Sequence, residues 1–169
     1  MKHSVTRRFI PASFIVAATL VAAPLAAQAD PPETVPDVSF VLEAGTPFEA
    51  CDFDLQVVGT GAKARVHEAV NGVAITAGRG YTLTFTNAET EEELIIRPTG
   101  STQKVTDNGD GTFTVQATGG NVLILFPTDT GGPSTIQYLG RVVYTIDETG
   151  VFTVESTSGT SRDLCQELS

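Results

Sequence analysis

"TDNGDGTFTVQA", Thr106 to Ala117, is the stretch whose reading decides the fold. Its second half alternates, with Phe113, Val115 and Ala117 set against Thr112, Thr114 and Gln116. A period of two places each set on its own face of a half-buried strand. Its first half concentrates Asp, Asn and Gly, which suits either a calcium loop or a reversal between strands. An EF-hand loop needs oxygen ligands at positions 1, 3 and 5, glycine at 6 and a bidentate glutamate at 12. Counted from Asp107, positions 3, 5 and 12 hold Gly109, Gly111 and Thr118. A hairpin needs only residues that tolerate positive φ, which Asn108-Gly109 or Asp110-Gly111 supplies. The stretch is therefore read as a hairpin turn, and no metal ligand is assigned to it.

The same alternation extends in both directions. In "YTLTFT", Tyr81, Leu83 and Phe85 oppose Thr82, Thr84 and Thr86, and in "VFTVES", Phe152 and Val154 oppose Thr153 and Glu155. Asp147-Glu148-Thr149-Gly150 before that last strand echoes Asp107–Gly111 one residue shorter, which is convergent hairpin chemistry rather than a duplication. Turn signals recur at Gly59-Thr60-Gly61, Asn71-Gly72, Gly78 to Gly80, Gly119-Gly120 and Gly131-Gly132-Pro133. The spacing predicts strands at 38–43, 52–58, 63–68, 72–77, 80–87, 92–98, 101–106, 111–118, 121–126, 136–146 and 150–156. The unbroken apolar run Val122–Phe126 reads as a central strand buried on both faces and ended by Pro127. Ser161–Leu168 is expected to form a helical turn or two. The fold class that follows is all-β, an antiparallel β-sandwich. A closed up-and-down β-barrel is the alternative, because both architectures alternate identically.

Residues 1–29 read as a signal peptide. Lys2, Arg7 and Arg8 precede the Ala-rich apolar run "ASFIVAATLVAAPLAA", and Ala27-Gln28-Ala29 offers a small-x-small cleavage site after Ala29. Pro24 breaks that run short of the roughly 20 residues a membrane-spanning helix needs, so no stable insertion is expected after cleavage. The Arg7-Arg8 pair raises the twin-arginine route, but an ordinary positive n-region accounts for it. Residues 30–37, "DPPETVPD", are a Pro-rich acidic tail expected to be extended and mobile, and 38–169 form a single all-β domain.

Twenty acidic residues face ten basic ones, a net charge of −10. Three of the basic residues leave with the signal, so the exported chain is more acidic still. That balance repels polyanions, and the seven remaining cations are scattered singly along the chain. Nucleic acid and acidic wall polymers are poor expected partners on this count. Cys51 and Cys165 are the only cysteines. An exported chain meets an oxidising compartment, so the pair is expected to close a disulfide tying the C-terminus to the start of the domain.

Residue types that could carry chemistry are sparse. Glu89, Glu91, Glu92 and Glu93 form the densest acidic cluster, read as a solvated hairpin tip whose charges discourage edge pairing. His67 is the one histidine beyond the signal, without the Ser and acid of a triad or the companions of a zinc site. A dispersed carboxylate site would draw on Asp107, Asp129, Asp147 and Glu155. Sugar platforms need flat aromatic faces, and Tyr138 is the best candidate, since Tyr81 and Tyr144 align with core positions. The threonines at 82, 84, 86, 112, 114 and 153 suggest a hydroxyl array, but lack the strict repetition an ice-binding surface requires. No cofactor fingerprint occurs.

At "GYTLTFTNAET", "NVLILFPTDTGGPSTIQYLGRVVYTID" and "SGTSRDLCQEL", the chain resembles a group of small secreted all-β proteins of actinobacteria. The likeness runs from about Val38 to Leu168. It rests on Cys51 with Phe53-Asp54-Leu55, and on Arg162-Asp163-Leu164-Cys165. It implies export and a fold, and it transfers neither an activity nor a site. The expectation is an exported non-catalytic β-sandwich module, binding or structural, at the cell envelope or outside it. The alternatives are a secreted hydrolase with a dispersed carboxylate site or, if the sheet closes, a carrier of a small apolar ligand.

Overall fold

The computed structural model describes residues 32–69 and 73–169, without the side chains of 66–69. Eleven strands and one short helix follow in order: β1 (Glu33–Thr34), β2 (Val38–Leu42), β3 (Leu55–Thr60), β4 (Lys63–Ala69), β5 (Val73–Arg79), β6 (Thr82–Asn87), β7 (Glu93–Ile96), β8 (Ser101–Asp107), β9 (Phe113–Leu125), β10 (Ser134–Ile146), β11 (Phe152–Asp163) and α1 (Leu164–Glu167). They form a seven-stranded sheet ordered β1-β4-β5-β8-β9-β10-β11 and a four-stranded sheet ordered β2-β3-β6-β7. All ladders are antiparallel. The two sheets pack as a sandwich and do not close, which rules out the barrel alternative. Successive hairpins alternate between the sheets, so β3 finds β6 and β5 finds β8 as partners.

The strand expectations hold except where glycine was read as a stop. Gly119-Gly120 is not a turn: β9 runs through it as one strand, where 111–118 and 121–126 were expected as two. The strand expected at 150–156 likewise continues as β11 through Gly159 to Asp163. Register explains both. Gly119 faces Gly140, and Gly140 faces Gly159, so three glycines line up across three neighbouring strands. All three have positive φ, at 95°, 143° and 97°. Backbones crowd together there: a Cβ on Gly140 would sit 2.2 Å from the Ser158 carbonyl oxygen. The row is a crease, and small residues extend it through Ser101, Gly78 and Ala64.

The crease folds the sheet onto itself. In a flat sheet the end of β9 and the start of β11 would lie about 40 Å apart, at roughly 3.3 Å per residue. Yet Thr130 bridges Thr153, and the Phe152 amide donates to Asp129 Oδ1 at 2.8 Å. The few residues after Leu125 cannot span such a gap, so the two halves of β9–β11 must face one another. Between them lies one core: Val115, Ala117, Leu123, Leu125, Val142 and Tyr144. The other core, with Leu42, Leu55, Val57, Phe85 and Ile96, lies between the four-stranded sheet and Val122, Ile124 and Phe126. The run Val122–Phe126 is thus covered on both faces, as its lack of alternation foretells. Each fully buried Leu or Phe contributes about 1.5–3 kcal/mol to these cores.

Both ends of the domain are tied down. Residues 33–37 are extended and held: Glu33–Thr34 pair with β4, Tyr81 donates to the Pro36 carbonyl at 2.7 Å, and the Gly61 amide donates to Asp37. Cys51 and Cys165 are joined by a disulfide across 114 residues. Asp163 caps α1 by accepting from the Cys165 and Gln166 amides, and Leu164 and Leu168 enter the first core.

Candidate functional site

The Asp107–Thr112 segment is a hairpin loop, and its oxygens are spent on the loop itself. Asp107 Oδ1 accepts from the Gly109 amide at 2.8 Å, and Asp110 Oδ1 from the amide and hydroxyl of Thr112. The positive φ values fall on Gly109 and Gly111, so glycine supplies both reversals. The β10–β11 turn repeats the device. Asp147 Oδ1 accepts from the Thr149 amide and hydroxyl and from the Val151 amide, at 2.7–3.0 Å. Register brings the two turns side by side, since Phe113, Ile146 and Phe152 share a row, and Glu148 lies against Gly111.

Those hydrogen bonds lower two carboxylate pKa values. The Thr149 hydroxyl, then the Val151 amide, hold Asp147 below the ordinary aspartate range, and Thr112 does the same for Asp110. A depressed folded-state pKa means that the turn's contribution is present above the unfolded value of about 3.9 and is lost as pH falls through the folded value. Carboxyl NMR titration is expected to show an Asp147 midpoint below that of free aspartate. The Thr149→Val variant is expected to move it upward, and an unmoved midpoint would remove the hydroxyl as the main cause.

The remaining carboxylates lie apart from these. Asp129 is buried, with its Oδ2 accepting from the Phe126 amide at 2.7 Å and its Oδ1 from the Phe152 amide. It clasps the end of β9 to the start of β11 and so locks the fold at the crease. An Asp129→Ala change orphans two amides and is expected to cost about 2–4 kcal/mol by urea unfolding. A loss within experimental error would mean that the clasp is dispensable. Glu155, the extra residue where the β10–β11 register shifts, accepts from the Thr145 hydroxyl at 3.1 Å. Glu89, Glu91, Glu92 and Glu93 are exposed at the β6–β7 reversal, where Asn87 accepts from the Glu89 and Thr90 amides. Among the described residues, no group of three or more His, Cys, Asp or Glu side chains could hold a metal ion. His67 lies on β4 opposite Ile75, and its side chain is outside the described residues.

Tyr138 is not the exposed platform its position suggested. It packs half-buried against the second core, because the fold at the crease covers its face, and burial raises its pKa. Tyr144 stacks on Phe152 with ring centroids 5.5 Å apart, and burial raises its pKa too. The threonines divide between sheets: Thr82, Thr84 and Thr86 on β6, and Thr114 and Thr153 in one row of the other sheet with Thr106 and Thr145. That division breaks any single array.

A cleft of about 200 Å³ opens where the crease meets β6 and β7, lined by Tyr81, Arg97, Gln103, Asn121 and Gln137 among others. Gln137 is 6% exposed and its Oε1 accepts from Arg162 Nε at 2.7 Å, while Asn121 Nδ2 is enclosed without a partner. Ligand pockets usually span about 300–1,000 Å³, so this cleft suits ordered water better than a substrate. The sequence offered no signal for it beyond two amides beside apolar runs. No helix among the described residues is long and apolar enough to cross a membrane. No protein-family model, no curated protein and no solved structure matches the chain.

Proposed function

We propose that this chain is an exported, non-catalytic β-sandwich module that binds a ligand or builds structure at the cell envelope or outside it. The observation that carries the reading is the fate of the candidate carboxylates. Asp107 and Asp147 each bond their own turn, Asp129 bonds two amides at the crease, and Glu155 bonds Thr145. A general acid or base must reach a substrate proton, and carboxylates committed to holding backbone are poorly disposed to do so. The Cys51–Cys165 disulfide supports export, as does the signal-like pattern of residues 1–29. The apolar-carrier alternative loses its premise with the open sandwich.

The test is incubation of the mature protein with chromogenic esters, phosphates and glycosides. No turnover above buffer is expected. Turnover that Glu155→Gln or Asp147→Asn abolishes would replace this reading with the hydrolase. N-terminal sequencing of the exported protein is expected to begin at Asp30, and a retained leader would remove the secretory part.

A further inference from the structure

Five cations converge on one face of the seven-stranded sheet. Register places Arg65 opposite Ala77, Ala77 opposite Thr102, Thr102 opposite Thr118 and Thr118 opposite Arg141. That row crosses five strands, about 19 Å at roughly 4.8 Å per spacing. Lys104 stands two residues from Thr102 on the same face, and Lys63 and Arg79 stand directly opposite one another beyond Arg65 and Ala77. The face is the one turned away from the second core, since Val105, Val115, Ala117 and Val142 occupy the alternate positions. Lys63, Arg79, Lys104 and Arg141 are exposed.

No acidic residue occupies this face on β4, β5, β8, β9 or β10, and the bulged Glu155 on β11 is bonded to Thr145. Among the described residues none of the five cations forms an ion pair; the ion pair present joins Arg162 to Glu167. Arg65 Nε is enclosed and has no acceptor. Like charges directly across a strand pair disfavour folding, so Lys63 opposite Arg79 is a cost the fold itself does not offset. Between the cations runs an open groove of about 370 Å³ with small walls, including Ala77, Gly78, Thr102, Thr118 and Gly119.

We infer that this face binds an acidic polysaccharide. Its charge is complementary to a polyanion, and its threonine hydroxyls suit sugar hydroxyls and ring oxygens. No aromatic side chain stands on it, which disfavours single-stranded nucleic acid, whose bases need stacking platforms. The chain's overall acidity opposes such a ligand at long range. At about 0.15 M ionic strength the Debye length is roughly 8 Å, so a chain lying on a face some 19 Å wide feels the local cations first. This inference rests on the binding-module reading and names its ligand class.

The experiment is calorimetric titration of the mature protein with polygalacturonate, dextran sulfate, neutral dextran and a deoxythymidine oligomer. Binding to one or both acidic glycans, absent for dextran and weakened by salt, is expected; the two acidic arms distinguish carboxylate from sulfate. The double variant Arg65→Gln/Arg141→Gln is expected to bind at least about tenfold more weakly with its melting temperature unchanged. Arg97→Gln, a cation off this face, is expected to bind like the wild type, and Lys104→Glu to lose affinity by itself. No binding to either glycan, or equal loss in Arg97→Gln, overturns the inference and leaves the non-catalytic reading in place. Tighter binding to the oligomer than to either glycan overturns the ligand class. Shortening of a bound glycan overturns the non-catalytic reading and leaves the ligand class standing.

Discussion

Replacing Cys51 and Cys165 together by alanine is expected to lower the melting temperature by about 10–15 °C. The disulfide closes a loop of 114 residues. Chain-entropy reasoning assigns a crosslink of that span about 4–5 kcal/mol, through the conformations it denies the unfolded chain. For a domain of this size each kcal/mol moves the midpoint by about 2–4 °C. The native side adds to the effect. Cys51 is buried beside Ala50 and Phe53 in the first core, and Cys165 holds α1 so that Leu164 and Leu168 stay inside it. Because the uncrosslinked chain expands further on unfolding, the denaturant m-value is expected to rise as the midpoint falls. An unchanged midpoint and slope, or two thiols titrating in the oxidised mature protein, would refute the staple.

The second large effect is expected at the crease. Gly140→Ala should cost about 3–5 kcal/mol, against about 1–2 for Gly150→Ala. Both glycines have positive φ, at 143° and 83°, so both substitutions carry the penalty of a left-handed conformation. Only Gly140 has a carbonyl oxygen, that of Ser158, within 2.2 Å of where the new Cβ would go; Gly150 has nothing within 4 Å. Relieving that collision means parting β10 from β11 at the line on which the sheet folds. Since domains hold only about 5–15 kcal/mol in all, Gly140→Ala approaches outright unfolding. Comparing urea midpoints of the two variants isolates the collision from the φ penalty. Equal losses would mean that the backbones do not meet as described.

The two effects differ in how visible they were in the sequence. With two cysteines there is one pairing, and export supplies the oxidant, so the staple needed no structure. Gly119, Gly140 and Gly159 each look like ordinary turn or strand glycines, because their meaning lies in facing one another. Gly119-Gly120 was accordingly read as a stop, and Tyr138, beyond the crease, as a solvent-facing residue. Asp129 is a similar case: in "PTDTGG" it resembles any loop aspartate, and only the return of β11 gives its carboxylate a second amide.

By itself the sequence determined the strands, because alternation is a local property written every two residues. It determined the hairpin at Asp107–Thr112 and its echo at Asp147–Val151, since Asx-type bonds reach only a few residues. Tertiary structure alone decided which hairpin joined which sheet, where the long sheet creased and which side chains became neighbours. Arg65 and Arg141 are far apart in the chain, yet register sets them in one row of one face. Cations that read as scattered become a patch because the face a residue takes is a local matter, whereas the strand beside it is not.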